Sequence, residues 1–257
     1  MLIRTTNLYI VSVVMVPNAI MGGRKMSGYR VGNAAVTVFI AALNEQDGIG
    51  LTIQEVKRVL KGPFFLVVDG KSVDKTAEIA ERMGAKVITQ DDKGKGQAVG
   101  QGIRELPLNS KYVVFIDADF TYPAEYIPEM IEILDQNPHV GMVVGNRFNG
   151  KMKFRESSSD VFFLGNRMLA LAQHVVNGIK LQDPLSGLRV VRAEILKYWK
   201  PRSKGFDVEA EMNYLVENRK YRIVEVPIVY RPRMGQKKLK LRDGFAILNR
   251  ILIGSIA

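Results

Sequence analysis

The 257-residue chain contains no cysteine and only two histidines, His139 and His174. Disulfide bonds and thiolate metal sites are therefore excluded, and the two histidines have no spacing that suggests a zinc site. A Ser-His-Asp nucleophile system finds no supporting motif in the chain. The absence of cysteine is compatible with a reducing compartment but does not require one.

Long apolar runs are also absent, and no segment approaches the roughly 18 consecutive apolar residues of a membrane-spanning helix. The apolar N-terminal run from Leu8 to Met21 is short and is interrupted by Pro17. A poor signal sequence, an added strand and translated sequence upstream of the true start all fit this run, and Met26 precedes a cleaner beginning. We interpret residues 1–33 as an N-terminal extension that is not essential.

Several nucleotide-binding and nucleic-acid-binding motifs are missing. The chain has no Gly-x-x-x-x-Gly-Lys-Ser/Thr sequence, which excludes a P-loop nucleotidase. GKGQAVG (94–100) imitates a dinucleotide fingerprint, but it follows the third predicted strand, which disfavours a nicotinamide dehydrogenase. Without a helix-turn-helix or an aromatic-basic RNA-binding strand, charge alone supports a nucleic-acid-binding protein. That function is a remote alternative, and we expect no nucleic-acid partner.

Basic residues outnumber acidic ones, giving a net charge of +11 and a pI near 9.7. This balance favours a polyanionic partner such as a nucleotide, a nucleic acid or an anionic lipid. Part of the excess is concentrated in the acid-free segment 231–242, whose cations are Arg231, Arg233, Lys237, Lys238, Lys240 and Arg242. This segment is either a solvated basic stretch or an anion-binding element.

Apolar runs alternate with amphipathic segments between residues 35 and 145. The runs predict strands at 35–43, 64–69, 86–89, 112–116 and 140–145. Helical spacing separates them at 49–60, 75–83, 96–105 and after Pro123. The alternation predicts an α/β fold with a mostly parallel central sheet flanked by helices. After Asn146 the alternation breaks, and the sequence predicts helices at 161–176 and 207–218 and a strand at 221–231.

Polar and acidic side chains follow three of the predicted strands. Asn44 and Glu45 follow the first, Asp69 ends the second, and Asp117 and Asp119 follow the fourth. Ligands of open α/β sheets bind at the carboxyl ends of the strands, so these side chains should meet at one edge. Because neighbouring carboxylates repel each other and hard oxygens suit divalent cations, the pattern predicts a cleft for a cation and a nucleotide.

Six segments carry a more specific signal, and they occur in a fixed order along residues 36–241. They are FIAALNEQDGIG, VVDGKSVDKTAEIAERMGAKVI, KGKGQAVGQGI, VVFIDADFTYPAEYI, VVGNRF and DPLSGLRVVR. Together they resemble the family 2 inverting glycosyltransferases, and within that family the dolichyl-phosphate mannose and glucose synthases. The resemblance implies the nucleotide-diphospho-sugar transferase (GT-A type) fold. It also implies Mg²⁺- or Mn²⁺-dependent transfer of mannose or glucose from a nucleotide-diphosphate sugar to a polyprenyl (dolichyl-type) phosphate.

The resemblance also implies roles for individual residues. It places Asp117 and Asp119 at the metal and, with Arg147, in the catalytic group. The expected donor-binding residues are Ala41, Leu43, Glu45, Val68, Asp69, Lys95, Ala118, Arg233 and Lys238. The expected acceptor-site residues are Arg147, which would hold the lipid phosphate, and Asp183, Ser186 and Gly187.

Some positions depart from the family pattern. Ala41 replaces the usual proline, and Gly70 after Asp69 removes one of two carboxylates that usually read the nucleobase. Thr121 stands where mannose synthases commonly carry glutamine, whereas GFDVEAE (205–211) is closer to the glucose synthases. The donor is therefore of the GDP-mannose or the UDP-glucose type.

The nature of the acceptor decides whether a general base is needed. A lipid phosphate is already ionised near neutral pH and needs none, whereas a sugar hydroxyl of a polysaccharide or glycolipid would need a carboxylate base. Asp207 and Glu209 are the candidates for such a base. The ordinary alternative for both is a solvated or capping position at the start of a helix.

The C-terminal segment has an amphipathic pattern. Phe245, Leu248, Ile251 and Leu252 follow helical spacing beside the basic segment. We divide the chain into the extension, a catalytic domain at 34–241 and this helix at 242–257, which either packs on the core or lies on an anionic membrane. A lipid-linked acceptor favours the second alternative, so we expect peripheral association with the cytoplasmic face of a membrane.

Overall fold

A seven-stranded sheet forms the centre of the computed structural model, which describes residues 35–148, 161–236 and 238–254. The predicted extension at 1–33 and Lys237 of the basic segment lie outside the described residues. The strands are β1 (Ala35–Ala42), β2 (Phe64–Asp69), β3 (Lys86–Thr89), β4 (Ser110–Phe115), β5 (Val140–Asn146), β6 (Arg189–Arg192) and β7 (Arg222–Pro227).

Their order in the sheet is β3-β2-β1-β4-β6-β5-β7. All neighbouring pairs are parallel except the two that involve β6, which is antiparallel to both β4 and β5. The mostly parallel α/β fold is therefore confirmed. The single reversed strand was not predicted, and it brings the start of β6 to the edge where β4 and β5 end.

The last predicted strand is shorter than expected. The sequence predicts residues 221–231, but β7 ends at Pro227 because its partner strand β5 ends opposite it, at Asn146. One further backbone bond joins Ile228 to Asn146, and the chain then crosses the edge of the sheet. There the Arg231 and Met234 N–H groups donate to the carbonyls of Thr121 and Asp119.

Helices cover both faces of the sheet. They are α1 (Ile49–Val59), α2 (Thr76–Arg82), α3 (Lys95–Arg104), α4 (Ile127–Gln136), α5 (Val161–Asn177), α6 (Ala193–Leu196), α7 (Val208–Asn218) and α8 (Leu241–Gly254). A single 3₁₀ turn, Ala124–Tyr126, follows Pro123 and leads into α4. The predicted helices all form, within one or two residues of their expected bounds for α1, α3, α5 and α7.

The alternation of side chains along each strand divides the core into two layers. Val38 and Ile40 of β1 face a layer with α1 and α4, whereas Phe39 between them faces α3 and α7. Both layers are built mainly from buried aliphatic side chains with some aromatic ones, as expected for a sheet covered on both faces. The covered sheet leaves the edge formed by the carboxyl ends of the parallel strands for ligand binding.

A third, smaller cluster joins α5 and α8 to α7. Ile247 and Ile251 of α8 are buried with Ala210 of α7, and Leu169 and Val176 of α5 pack against them. The C-terminal helix therefore packs on the protein with one side, while Phe245 and Leu248 are exposed on another. In the part of the chain that the structure describes, no helix has the length and apolar character needed to cross a membrane.

Candidate active site

The two aspartates after β4 lie at the edge of the sheet but form ion pairs with different basic side chains. Asp117 Oδ1 lies 2.7 Å from Nζ of Lys95, which comes from the first turn of α3. The same Nζ is 2.7 Å from Oε1 of Glu209 on α7. Burial favours the protonated form of Asp117, but the charge and hydrogen bond of Lys95 outweigh it and lower the pKa of this carboxyl. Lys95 thus holds two carboxylates together at the floor of the site.

Asp119 is almost fully buried and contacts other residues than Asp117 does. Its Oδ2 lies 2.8 Å from a guanidinium nitrogen of Arg233, and its Oδ1 accepts a 2.6 Å hydrogen bond from the Thr121 hydroxyl. Burial and the negative charge of Asp117 raise the pKa of Asp119 despite these contacts. The pair is thus an environment in which additional positive charge would be stabilising.

Glu45 brings the loop after β1 into the same cluster. Arg233 and Lys238 both form ion pairs with Oε1 of Glu45, and Lys238 also donates to the Asn44 carbonyl at 3.1 Å. Burial nevertheless raises the pKa of Glu45. Residues expected at the donor site from opposite ends of the chain are therefore in contact here.

Two glycines allow the chain to approach the aspartates closely. A Cβ atom on Gly187 would lie 2.3 Å from Oδ2 of Asp117, and one on Gly48 would lie 2.5 Å from the Ala118 carbonyl oxygen. No side chain fits at such distances. The Gly187 N–H donates to the hydroxyl of Tyr122 at 2.7 Å, which fixes the segment before β6 against the aspartate loop.

Arg147, expected at the acceptor, follows β5 and is held by Asp183. Its Nε and one terminal nitrogen donate to the two Asp183 oxygens at 2.6 and 2.7 Å, and its backbone N–H donates to Oδ2 at 3.0 Å. Asp183 is fully buried and also accepts a 3.1 Å bond from Asn166 of α5. A guanidinium has five N–H groups, so three remain for a further anion. The guanidinium also lies over the Tyr230 ring, at 5.4 Å from its centre.

The remaining predicted residues have different surroundings. Asp69 is buried and accepts bonds from the hydroxyl and N–H of Ser72 at 2.6 and 2.9 Å. The side chains of Val68 and Ala118 are buried, so these two residues could contact a ligand only through their backbone. Ser186 is fully buried, and its hydroxyl has no hydrogen-bond partner among the described residues.

Two other positions expected at the donor are Ala41, near the end of β1, and Leu43, directly after it. Ala41 lines a small cavity with Lys95, Asp117 and Glu209. Leu43, after the end of β1, is 42 % exposed. The edge therefore combines a buried polar floor with an accessible apolar side chain.

The solvated position given as the alternative for Asp207 and Glu209 is wrong, because both side chains are buried. Asp207 does lie at the N-cap of α7, as the capping alternative has it, although its side chain makes no capping hydrogen bond. Asp207 lies 3.2 Å from Nε of Arg250 on α8, whereas Glu209 reaches Lys95 beside Asp117. Glu209 therefore belongs to the site, although the sequence identified it only as a candidate base. Its other oxygen, Oε2, is buried without a hydrogen-bond partner among the described residues.

Arg189 is a second residue that the sequence did not assign to the site. Its guanidinium is almost fully buried and donates to the Ser186 and Pro184 carbonyls at 2.7 and 2.5 Å and to Asn213 Oδ1 at 2.6 Å. Arg189 therefore holds the segment that carries Gly187 and Asp183. Its place in DPLSGLRVVR was a usable signal, whereas nothing in the sequence indicates Asn166 or Tyr230.

We expect Lys95→Met to lower the free energy of unfolding by about 3–5 kcal/mol, because it leaves the buried Glu209 and the partly buried Asp117 without their cation. The exposed pair Lys111–Asp135 gives a matched control. Lys111→Met should cost only about 0.2–1 kcal/mol. Urea denaturation at neutral pH measures both, and Lys95→Met/Glu209→Gln should recover part of the loss. Equal effects for Lys95 and Lys111 would contradict this account of the site.

Asp117 and Asp119 are the residues best suited to hold a divalent cation, because hard carboxylate oxygens lie together at an accessible edge. No cluster of three or more acidic, histidine or cysteine side chains suited to a metal occurs among the described residues. An ion on the two aspartates would therefore need further oxygen ligands from a bound substrate. The raised pKa of Asp119 beside Asp117 is consistent with such a cation.

Two curated relatives resemble the chain over most of its length. The chain is 31 % identical over 220 residues to a dolichyl-phosphate hexose transferase of Haloferax volcanii, covering 85 % of this chain and 92 % of that protein. It is 28 % identical over 227 residues to a dolichol-phosphate mannosyltransferase of Pyrococcus furiosus. That match covers 84 % of this chain but only 62 % of the relative, which is the longer protein.

Solved structures show the same fold at lower identity. The glucosyl-3-phosphoglycerate synthase of Mycobacterium tuberculosis, crystallised with UDP, matches with a TM-score of 0.68 and 22 % identity over 87 % of this chain and 80 % of that one. The same enzyme with Mn²⁺, UDP and glucosyl-3-phosphoglycerate matches with a TM-score of 0.65 and 21 % identity, over 87 % and 79 % of the two chains.

The matching family model is "Glycosyl transferase family 2", and it covers residues 37–199, more than half of the chain. This range includes the paired aspartates, Lys95, Arg147 and the segment that carries Gly187. The model therefore covers most of the side chains that meet at the edge of the sheet. The chain belongs to glycosyl transferase family 2 and is a glycosyltransferase.

Proposed function

We propose that the protein transfers a hexose, mannose or glucose, from a nucleotide-diphosphate sugar to a polyprenyl phosphate, with Mg²⁺ or Mn²⁺ bound at the paired aspartates. One observation carries the proposal. The edge of the sheet combines a cluster of carboxylates and cations around Asp119 with a separate, anchored arginine, Arg147, three of whose guanidinium N–H groups have no partner among the described residues. The first group suits a nucleotide diphosphate, and the second suits a phosphate monoester.

The comparisons support the class of reaction. Two relatives are named for hexose or mannose transfer to a dolichyl-type phosphate, and the solved synthase binds UDP and Mn²⁺. That the present chain uses the same substrates as these relatives is part of the proposal. The nucleobase stays open because Gly70 removes a carboxylate that usually reads it. The sugar stays open because Thr121 departs from the mannose synthases without identifying glucose.

The donor side of the site must stabilise negative charge on the leaving group. As the bond from the sugar to the diphosphate breaks, negative charge builds on the leaving group. A divalent cation held by Asp117 and Asp119 would supply Lewis-acid stabilisation of that charge. Arg233 and Lys238, which pair with Glu45 in this structure, lie where they could turn to the diphosphate oxygens and add charge-assisted hydrogen bonds.

Orientation is the main task of the acceptor side. The two bonds from Asp183 fix the plane of the Arg147 guanidinium, so its remaining N–H groups have a defined direction. A phosphate oxygen is already a nucleophile near neutral pH, and the acceptor therefore requires positioning but no strong base. Glu209, engaged by Lys95, is consistent with a mechanism that does not use it as a base.

A second candidate acceptor is a sugar hydroxyl of a polysaccharide or glycolipid. Glu209 favours it, because this carboxylate lies across Lys95 from Asp117 and its Oε2 is buried without a partner among the described residues. Such an oxygen could accept a proton from a hydroxyl acceptor. The two candidates differ in the acceptor alone, so one assay distinguishes them.

The test uses the purified full chain with Mn²⁺ and a panel of radiolabelled nucleotide sugars that includes GDP-mannose and UDP-glucose. Each donor is offered with a polyprenyl phosphate or with a glycolipid that has free hydroxyls but no phosphate. We expect one donor to label the polyprenyl phosphate only. Labelling of the glycolipid alone would favour the hydroxyl acceptor. Salt-sensitive DNA binding with no transfer and no stabilisation by GDP or UDP would overturn the proposal.

A further inference from the structure

The backbone on both sides of Lys95 is packed directly on a second segment of the chain. Gly94, which has a φ of +105°, would place a Cβ atom 2.2 Å from the Lys204 carbonyl oxygen. A Cβ atom on Gly96 would lie 2.1 Å from the Ser203 carbonyl oxygen. The Gly96 N–H donates to the Lys204 carbonyl at 3.1 Å. The start of α3 is therefore shaped by residues 203 and 204, and Lys95 stands between the two contact points.

The carboxylate of Glu211 on α7 holds that second segment in place. Its Oε2 accepts hydrogen bonds from the N–H and the hydroxyl of Ser203 at 2.7 and 2.5 Å. Its Oε1 accepts bonds from the Arg202 N–H at 2.9 Å and the Trp199 indole N–H at 3.2 Å. Hydrogen bonds to an ionised acceptor are roughly twice as strong as neutral ones. One carboxylate thus anchors residues 199–203, and we call residues 199–205 the linker segment.

Arg250 of the C-terminal helix connects this anchor to a second one. Its Nε lies 3.2 Å from Oδ2 of Asp207 and 3.5 Å from Oε2 of Glu211. Oδ1 of Asp207 in turn accepts a 3.0 Å hydrogen bond from the Gly205 N–H. The side chains of Arg250 and Glu211 are only 17 % and 12 % exposed, so solvent screens this ion pair weakly. Both ends of the linker segment are therefore fixed by carboxylates of one small network.

We propose that Glu211 is a positioning residue that acts on Lys95 through the linker segment. Lys95 Nζ lies 2.7 Å from both Asp117 and Glu209, a geometry that tolerates little movement of the start of α3. A displacement of about 1 Å at a reacting group can cost about a hundredfold in rate. The effect on transfer rests on the proposed function, in which Lys95 belongs to the donor side. The contacts that carry the positioning do not depend on it.

The test measures Glu211→Ala in two backgrounds of the full chain. One is the original protein, and the other is Lys95→Met/Glu209→Gln, which has no bridge left to position. In the original protein, Glu211→Ala should lower kcat/KM for transfer by about tenfold to a hundredfold. In the second background it should cause little further loss, because residues that act through one another are not additive. Glu211→Gln keeps one acceptor oxygen and should lose less than Glu211→Ala, and it serves as the variant if the alanine protein does not fold.

Leu134→Ala separates positioning from a general loss of stability. Leu134 is fully buried on α4, and its truncation leaves a cavity in the core that destabilises the fold. At a temperature at which it is folded, this control should keep the kcat/KM of the original protein. In hydrogen exchange, the Gly96 amide should lose more protection in Glu211→Ala than in Leu134→Ala, because the first change releases the linker segment locally.

Equal fractional losses of kcat/KM in the two backgrounds would overturn the proposal, because Glu211 would then not act through Lys95. A folded Glu211→Ala variant with full activity would overturn it too. If the original protein transferred no hexose to polyprenyl phosphate, the proposed function would fail by itself. Calorimetry with Mn²⁺ and UDP or GDP would then provide the same comparison, and the affinity lost in Glu211→Ala should again depend on Lys95.

Discussion

Replacing Asp119 with alanine should lower kcat/KM for glycosyl transfer by about a thousandfold or more, because a bound cation contributes several kcal/mol to stabilising the leaving group. The fold should survive. Burial and the negative charge of Asp117 raise the pKa of Asp119, so this carboxylate is less favourable in the folded protein than in the unfolded chain, and losing it should not unfold the protein. Arg233, its ion-pair partner, would keep its contact with Glu45.

Three measurements separate this explanation from simple damage to the site. Asp119→Asn keeps an oxygen for the Thr121 hydrogen bonds while removing the charge, and it should be nearly as inactive as the alanine variant. Asp135→Ala removes an aspartate of α4 whose ion-pair partner is Lys111 and not a residue of the site, and it should be active. Excess EDTA should stop the original protein reversibly. Full activity in EDTA, or in Asp119→Asn, would contradict the assignment of the metal to this pair.

Arg147→Ala should reduce transfer to polyprenyl phosphate by about a hundredfold to a thousandfold, the usual cost of losing one preorganised donor to a reacting anion. Binding of the donor nucleotide should change little, because Arg147 is held by Asp183 and not by the Glu45 and Asp119 cluster. Steady-state kinetics with both substrates varied and calorimetry with UDP or GDP measure the two effects separately.

The variant has a structural cost that must be distinguished from the catalytic one. Asp183 is fully buried, and removing its cation should lower the free energy of unfolding by about 3–5 kcal/mol. Arg147→Met/Asp183→Asn removes both charges and should recover much of that stability without restoring transfer. If the double variant were both stable and fully active, the arginine would be structural alone and the acceptor assignment would be wrong.

The sequence alone was sufficient for the fold class and for the position of the paired aspartates. Period-two and period-3.6 patterns depend on neighbours within a few residues, so the strands β1 to β5 could be predicted from local sequence. The carboxyl ends of parallel strands share one edge, so Glu45, Asp69 and Asp117 could be expected at that edge without coordinates. The ordered motifs led to the family that the comparisons confirm.

The tertiary structure decided what each charged group contacts. Lys95 could be expected near the donor from its motif, but its bridge between Asp117 and Glu209 depends on how α3 and α7 pack on one face of the sheet. The reversed direction of β6 likewise depends on the edges that β4 and β5 offer, and four residues are too few to show it by pattern.

The C-terminal helix is a further case in which the sequence predicted the element and the tertiary structure decided which side chains are buried. The spacing of Phe245, Leu248 and Ile251 predicted an amphipathic helix, but it could not tell which apolar residues face the protein. Ile251 is buried against α5 and α7, whereas Phe245 is exposed. Local sequence determines that a helix has an apolar side, whereas burial depends on contacts with segments some 40 to 90 residues away.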